Sequence, residues 1–248
     1  MKNFLVRIFW PSLVVLLALS LALVLWSGEK KNVSYREMAC TFEERVPGCL
    51  DSVKEWASGL SFFDSVDAVS GDALASLKAL LWDYWNIEFA GAGDAAVSHD
   101  AVLPLKVLEN RTGGCVGTSW LALMVAEARN LPLHAILLPG HVFLRYGADD
   151  GRGQVGFAPK WVNLEPNRRG YTYTDEEYRQ KYREGRWTGL EFKPLSARSF
   201  VGLAAFDLGN LYLDSDPHHA LLWYRLAEEF FPEYPGIKAN QDAAMNKL

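Results

Sequence analysis

The N-terminal region contains a long uninterrupted apolar segment. No charged residue occurs from Ile8 to Gly28, a run of 21 positions. At about 1.5 Å per helical residue such a segment spans roughly 31 Å, about the thickness of a bilayer's hydrocarbon core. Trp10 and Trp26 lie near its two ends, where indole side chains favour the membrane interface. The segment therefore predicts a retained single-pass transmembrane helix.

A cleaved signal peptide is the alternative interpretation of the same segment. The run is longer than the roughly 7–15 apolar residues usual in signal peptides, and no small-x-small cleavage site precedes Glu29. Its orientation is undecided by charge, because Lys2 and Arg7 flank one end while Lys30 and Lys31 flank the other.

The remainder of the chain has the composition of a folded, acidic protein. Half of the residues are hydrophobic and 22% are charged, which excludes a disordered chain. Without Lys2 and Arg7 the protein has 23 basic and 30 acidic residues, a net charge of −7. Such a body has no electrostatic attraction to nucleic acid or to an anionic lipid surface, and we expect no nucleic-acid partner.

The spacing of the three cysteines bears on the redox state of the compartment in which the protein folds. Cys40 and Cys49 are nine residues apart, whereas Cys115 is distant from both. Two neighbours able to pair and one separate thiol suit an oxidising environment, although two unrelated buried thiols are the alternative. We therefore expect the soluble part to be extracytoplasmic, that is periplasmic.

The pattern of the soluble part changes from helical to extended. Apolar residues at three- and four-residue steps predict helices first, and short apolar runs between turn signals then predict strands, so the fold class is α+β with a small antiparallel sheet. The segment Thr172–Arg186, rich in tyrosine and in charge, is predicted as a solvated helix or an edge segment. The predicted helices are Glu43–Leu60, Ala73–Phe89, Pro104–Glu109 and Cys115–Arg129, and the predicted strands are Leu133–Leu138, His141–Tyr146, Gln154–Phe157 and Lys160–Glu165.

The C-terminal part reads as a separate helical unit. From Ser199 onward, small and aromatic residues fall close to the spacing of a tetratricopeptide repeat, with Asp214–Pro217 as the turn between two helices. Only one repeat can be recognised, and a single repeat cannot bury its own apolar face. The unit should therefore pack on the α+β body. An ordinary pair of antiparallel helices is the alternative.

Three segments carry residues able to do chemistry. Cys115 follows two glycines and opens a predicted helix, where the positive dipole end stabilises a thiolate. His141 starts an apolar strand, and an imidazole beside a thiol can take its proton and return it to a leaving amine. Asn163 or Glu165, on one face of a later strand, could accept the imidazole N–H and orient the ring. Gly114 and its neighbouring glycines are expected to leave room for a substrate backbone.

These three segments together resemble a known family. Glu109–Gly117 (ENRTGGCVG), Pro139–Arg145 (PGHVFLR) and Asn163–Pro166 (NLEP) are similar to the bacterial transglutaminase-like family, in particular the branch named after the Sir regulator B protein, which joins such a domain to tetratricopeptide repeats. The resemblance implies a papain-like core and a Cys-His-Asp triad working through a thioester. Cys115 and His141 match that triad directly, whereas Glu165 stands where the family usually has aspartate, with Asn163 as an alternative orienting residue.

The resemblance and the residue patterns together predict a domain organisation. Residues 1–30 would form the membrane anchor with a short flank, residues 31–195 a transglutaminase-like domain, and residues 196–248 a tetratricopeptide-like helical segment. The expected function is cysteine acyl transfer or amide hydrolysis on a protein or peptide substrate, without cofactor or metal.

Two other functions are compatible with the sequence. One is a catalytically silent interaction module, whose C-terminal helices would bind a protein partner. The other is a redox sensor based on Cys115. A cleft filled by Trp187 or Phe192 would favour the silent module.

Overall fold

The computed structural model describes residues 33–147 and 161–248. The predicted anchor, Ile8–Gly28, and the strand candidate Gln154–Phe157 lie outside these residues. Within the two described ranges, no helix is long and apolar enough to cross a membrane. The anchor therefore stays a prediction.

The described chain begins with a helix that is fixed by a disulfide. Helix α1 (Tyr35–Phe42) starts after Ser34, whose side chain caps it. Cys40 in its last turns is joined to Cys49, with the two Cα atoms 5.9 Å apart. Cys49 opens a short 3-10 helix, Cys49–Ser52, so the disulfide closes the loop between the two helices.

The next helix lies further along the chain than predicted. The spacing of apolar residues predicts Glu43–Leu60, whereas the structure has α2 at Lys54–Ser70. Pro47 and Gly48, the latter with φ of 75°, turn the chain away from a helical path before the 3-10 helix. The periodicity thus located a helix but not the break that precedes it.

The predicted helix Ala73–Phe89 begins correctly and ends early. Asp72 caps its N-terminus, and after the α-helical part the chain continues as one π-helical segment. Phe89 instead belongs to a short parallel pair of strands that brings the chain beside the segment preceding Cys115. The elements here are α3 (Ala73–Ala79), the π-helix Leu80–Tyr84, β1 (Glu88–Phe89) and β2 (Thr112–Gly113).

The central helix has the predicted bounds. Three short helices precede it, and α7 (Cys115–Arg129) then runs through the core, with every residue from Val116 to Ala126 buried. It ends at Asn130, which adopts the left-handed conformation with φ of 54°. A helix that is apolar on most faces is expected to be central, as this one is. The preceding helices are α4 (Asp94–Val97), α5 (His99–Val102) and α6 (Pro104–Asn110).

A three-stranded antiparallel sheet follows α7. Strands β3 (Leu133–Leu138) and β4 (His141–Tyr146) have the predicted bounds and meet at the turn Pro139–Gly140, in which Gly140 has φ of 66°. Strand β5 (Val162–Leu164), within the predicted Lys160–Glu165, pairs with β4. The order β3-β4-β5 places the predicted histidine strand in the middle of the sheet.

The tyrosine-rich segment is less solvated than predicted. Helix α8 (Asp175–Lys181) is only seven residues long and opens with a capping box between Thr174 and Glu177. Its charged residues are largely exposed, but Tyr178 is completely buried against the sheet. It packs in a cluster with Ile136, Leu138 and Phe143, flanked by Tyr173, Tyr182 and Phe192.

Three helices complete the chain: α9 (Ala197–Tyr212), α10 (Pro217–Phe230) and α11 (Pro235–Met245). The predicted turn Asp214–Pro217 joins α9 to α10, although Pro217 itself is the first residue of α10. The Tyr224 ring fills the place where a side chain on Gly209 would be. Helix α10 packs against both α9 and α11. Their assignment to the tetratricopeptide class stays a prediction.

The C-terminal helices pack on the α+β body, as predicted for a single repeat. Phe200 of α9 is fully buried, and its ring meets those of Tyr35 and Trp120 edge-on, with centroids 5.7 and 6.0 Å apart. Helix α9 is thereby joined to both α1 and α7.

Candidate functional site

Cys115 is the first residue of the central helix α7. Gly114 precedes it in an extended conformation and offers no side-chain cap. Cys115 is a free cysteine, and the residue is partly exposed. Its position at the N-terminal end of a 15-residue helix places it beside amides that have no partner within the helix.

The glycines around Cys115 serve packing, contrary to the expectation that they leave room for substrate. A Cβ atom on Gly114 would lie 2.0 Å from the carbonyl oxygen of Ala96, and one on Gly117 would lie 2.1 Å from that of Ala101. The amide of Gly114 also donates to Ala101 at 2.8 Å. The chain's own backbone therefore occupies the space that the missing side chains provide.

His141 lies at the first position of β4, directly after the tight turn. Its side chain is almost buried, with 8% of the residue exposed. The Nε2 atom lies 2.9 Å from Oε2 of Glu165. The Cys115 side chain is its other polar neighbour and raises the pKa of the imidazole. Because Nε2 is engaged by Glu165, Nδ1 is the ring nitrogen available to the sulfur.

Glu165 stands where β5 gives way to the 3-10 helix Pro166–Arg168, for which it is the N-cap. Only 1% of it is exposed. Oε1 accepts the Asn167 amide hydrogen bond at 3.1 Å, and Oε2 accepts the Tyr178 hydroxyl at 3.2 Å as well as contacting His141. A buried carboxylate needs such partners to stay charged, and this one has donors on both oxygens.

The electrostatics of the pair favour the charged forms. Burial alone would lower the pKa of His141, but its hydrogen bonds to Cys115 and Glu165 and their negative charges outweigh burial and raise the pKa to about 9. Burial would raise the pKa of Glu165, but His141, the Asn167 amide and the Tyr178 hydroxyl together lower it. An imidazolium beside a charged Glu165 carboxylate is therefore the favoured state of this pair near neutral pH.

Asn163, the alternative orienting residue, is engaged elsewhere. Its Oδ1 accepts a hydrogen bond from Arg145 at 2.9 Å, and its Nδ2 donates to the Tyr173 carbonyl at 3.0 Å and to Asp175 at 2.7 Å. Arg145 also forms an ion pair with Asp175 at 2.6 Å. The amide thus joins β4 and β5 to the start of α8, and it is Glu165 that contacts the imidazole.

Aromatic rings surround the site. The Tyr182 ring lies parallel to the His141 imidazole, with an interplanar angle of 4° and centroids 5.5 Å apart. Trp187 stacks on Phe192 at 6.0 Å, and Phe192 contacts Phe143 rather than the imidazole. Tyr182 therefore covers one face of the His141 ring, whereas Trp187 and Phe192, which the silent-module alternative would place in the cleft, do not.

A cleft of about 430 Å³ opens beside the β3–β4 turn. Gly140, Arg186 and Tyr234 are among its lining residues, whereas Cys115 and His141 are not. It adjoins the site through Gly140, the residue before His141. Among the described residues, no group of three or more His, Cys, Asp or Glu side chains could hold a metal ion.

The fold is α+β, with a thiol at the start of the central helix, a histidine at the start of a central strand and a glutamate 2.9 Å from that histidine. A family model described as the transglutaminase-like superfamily matches residues 49–201, more than half of the chain. The chain belongs to the transglutaminase-like superfamily. No curated protein and no solved structure matches the chain. The matched residues include Cys115, His141 and Glu165.

Tyr178 and Tyr182 are the neighbours of the site that sequence reasoning missed. They lie four residues apart, the spacing that places two side chains on one face of a helix. That spacing was visible in the sequence, but the surrounding charged residues favoured a solvated segment. The contact of Tyr178 with Glu165 depends on how α8 packs on the sheet.

Proposed function

We propose that the protein is a cysteine-dependent acyl-transferase or amide hydrolase with Cys115 as nucleophile. His141 acts as general base and acid, and Glu165 orients the imidazole. The observation that carries the proposal is the buried imidazole of His141, which lies 2.9 Å from the Glu165 carboxylate and whose pKa is raised by both the Cys115 side chain and Glu165. Membership of the transglutaminase-like superfamily, which suggests a cysteine-protease-like fold, supports it.

The reaction proceeds in two steps through a thioester. The Cys115 thiolate attacks an amide carbonyl carbon, and the C–N bond breaks as the His141 imidazolium gives its proton to the leaving amine. Water or a second amine then attacks the thioester, His141 accepts a proton from it, and the C–S bond breaks to restore the thiolate. The Cys115 amide, at the start of α7, helps to hold the oxyanion.

The location and organisation of the protein form part of the proposal. The apolar segment Ile8–Gly28 anchors the chain in a membrane as a single-pass helix, with the domain in the periplasm. The disulfide between Cys40 and Cys49 supports an oxidising compartment. The substrates are amide or peptide bonds close to the membrane, and the C-terminal helices, of the tetratricopeptide-like type in the Sir regulator B branch, offer a surface for a protein partner.

An activated ester tests the nucleophile directly. We expect 4-nitrophenyl acetate to acetylate Cys115 with a burst of nitrophenolate, detected by absorbance and by the intact mass of the protein. Cys115→Ala should abolish the burst, and His141→Ala should slow it by about 100-fold or more because the proton acceptor is lost. His218→Ala, at an exposed position in the first turn of α10, is the matched control and should behave as the wild type.

Equal acetylation of the wild type and Cys115→Ala would contradict the proposal. A folded wild type that is not acetylated would favour the silent interaction module. Reversible oxidation of Cys115 by peroxide without acetylation would favour the redox sensor.

A further inference from the structure

Two tyrosines of the α8 segment face the histidine–glutamate pair. Tyr178 lies inside α8 and Tyr182 is the C-cap residue that follows it. Residues four apart lie one above the other on a helix, so both rings point to the same side, toward β4 and Glu165. Both belong to the cluster that packs on the sheet.

Tyr178 contacts Glu165 at the same carboxylate oxygen that contacts His141. Its hydroxyl donates to Oε2 of Glu165 at 3.2 Å, and the same oxygen lies 2.9 Å from Nε2 of His141. The Tyr178 ring is fully buried and stacks on Phe143, with centroids 4.2 Å apart. Burial and the charge of Glu165 raise the pKa of Tyr178, so its hydroxyl keeps the proton that it donates.

Tyr182 contacts the imidazole through its face. The two rings are parallel within 4°, which is the offset-stacked arrangement that planar rings prefer. Burial, followed by the charges of Glu165 and Cys115, raises the pKa of Tyr182, so its ring is also neutral. Because its plane follows that of the imidazole, it restricts rotation of the His141 side chain.

We propose that Tyr178 and Tyr182 are positioning residues, of which Tyr178 fixes the Glu165 carboxylate and Tyr182 fixes the plane of the His141 ring. The inference rests on the proposed function, since positioning matters only if the sulfur–imidazole pair reacts. The two tyrosines would allow a glutamate to serve as the orienting residue.

The length of the glutamate side chain is the physical reason for this device. Glutamate has one more rotatable bond than aspartate, so a contact with the imidazole alone would leave its carboxylate free to turn. The Asn167 amide holds Oε1 and the Tyr178 hydroxyl holds Oε2, so the carboxylate is fixed at both oxygens. Catalytic groups need to be held within about 0.5 Å of their productive positions, which this arrangement favours.

Alkylation of Cys115 by iodoacetamide between pH 4 and 10 reports on the sulfur–imidazole pair without any acyl substrate. In Tyr178→Phe the ring stays and only the hydroxyl is lost, which raises the pKa of Glu165. The carboxylate is then neutralised at higher pH, and His141 loses its anionic partner. We expect alkylation on the acid side to slow about 2- to 10-fold and the acid limb to move toward neutral pH, with an unchanged alkaline plateau.

Tyr171→Phe is the matched control for this variant. Tyr171 is half-exposed, lies in the same segment and makes no side-chain hydrogen bond within the described part of the chain. Its profile should superimpose on that of the wild type. A general loosening of the fold would raise the alkaline plateau of Tyr178→Phe, and superimposable profiles for Tyr178→Phe and the wild type would overturn the role of Tyr178.

Tyr182 is tested independently by a pair of substitutions. Tyr182→Phe keeps the stacked ring and should alkylate as the wild type does, whereas Tyr182→Leu removes the ring and should slow the reaction near neutral pH. Equal slowing in both variants would overturn the stacking role, as would no slowing in either.

The outcomes separate this inference from the proposed function. Changed alkylation profiles in a protein that is not acetylated by 4-nitrophenyl acetate would refute acyl transfer and retain the positioning roles. Unchanged profiles in a protein that is acetylated would do the reverse.

Discussion

At the scale of single residues, Glu165 shows how hydrogen-bond partners keep a buried carboxylate charged. Removing a carboxylate from water without compensation is costly, and removing only one partner of a buried pair is more costly than removing both. Glu165 has an imidazole, a backbone amide and a phenol hydroxyl around its two oxygens. Its charge is therefore part of the local structure, and the protonation of His141 is tied to the folded state.

This linkage predicts how stability depends on pH. His141 titrates near 6.5 when unfolded and at about 9 when folded. A raised pKa contributes stability fully below pH 6.5, and that contribution is lost as the pH rises through about 9. We expect the free energy of unfolding of the wild type, from urea titrations at pH 6 and pH 9.5, to fall more steeply with pH than that of His141→Gln.

Exposed His218 supplies the control for this measurement. His218→Gln lies at the surface and should show the same pH dependence as the wild type. If His141→Gln loses as much stability between the two pH values as the wild type, the coupling of His141 to its neighbours is contradicted.

At the scale of elements, the sequence predicted best those segments that end at strong local signals. Helix α7 lies between Gly114 and Asn130, and β3 and β4 are separated by Pro139–Gly140, so their bounds followed from turn chemistry and apolar period alone. These signals also placed Cys115 and His141 at the starts of their elements.

The elements that were displaced or misjudged depend on contacts between distant residues. Helix α2 was predicted too early because the chain before Lys54 is held by the Cys40–Cys49 disulfide in a loop and a 3-10 helix. Tyr178 was assigned to a solvated segment because its burial comes from packing on Phe143 and Glu165, which no local period encodes. The choice between Asn163 and Glu165 likewise required knowing that Arg145 and Asp175 engage the asparagine.

The disulfide should make a measurable contribution to the free energy of unfolding. Cys40 and Cys49 close a loop of nine residues' separation, for which the loss of chain entropy in the unfolded state corresponds to about 2–3 kcal/mol. In a Cys115→Ala background, which removes the free thiol, Cys40→Ser with Cys49→Ser should lower the free energy of unfolding by about that amount, measured by urea titration.

Reduction provides an internal comparison for the disulfide. Dithiothreitol should destabilise the Cys115→Ala parent to a similar extent and leave the serine variant unchanged. The prediction would be contradicted if dithiothreitol left the free energy of unfolding of the parent unchanged. It would also be contradicted if the serine variant were as stable as the parent.

At the scale of the whole molecule, the α+β body and the C-terminal helices share a core. Phe200 of α9 is buried against Tyr35 of α1 and Trp120 of α7, so α1 and α9 both pack on the central helix. Residues 31–195 and 196–248, the predicted domains, therefore share packed side chains. Such an arrangement favours cooperative unfolding.

Phe200→Ala tests this shared core. Removing a fully buried phenylalanine costs about 3–5 kcal/mol, and the loss should appear as one transition at the same urea concentration by circular dichroism and by tryptophan fluorescence. Leu222→Ala, on the exposed face of α10, should change the stability by less than about 0.5 kcal/mol. Two separate transitions in Phe200→Ala would show instead that the C-terminal helices unfold independently.

The close approach of backbone to Gly114 and Gly117 has a consequence for how relatives of this chain are interpreted. Any side chain at these positions would collide with the carbonyl of Ala96 or Ala101, whatever residue stands at position 115. A descendant that had lost its sulfur, and all reactivity with it, would still have to keep both glycines in order to fold. The two glycines thus mark ancestry and architecture, and only the cysteine itself can mark the proposed chemistry.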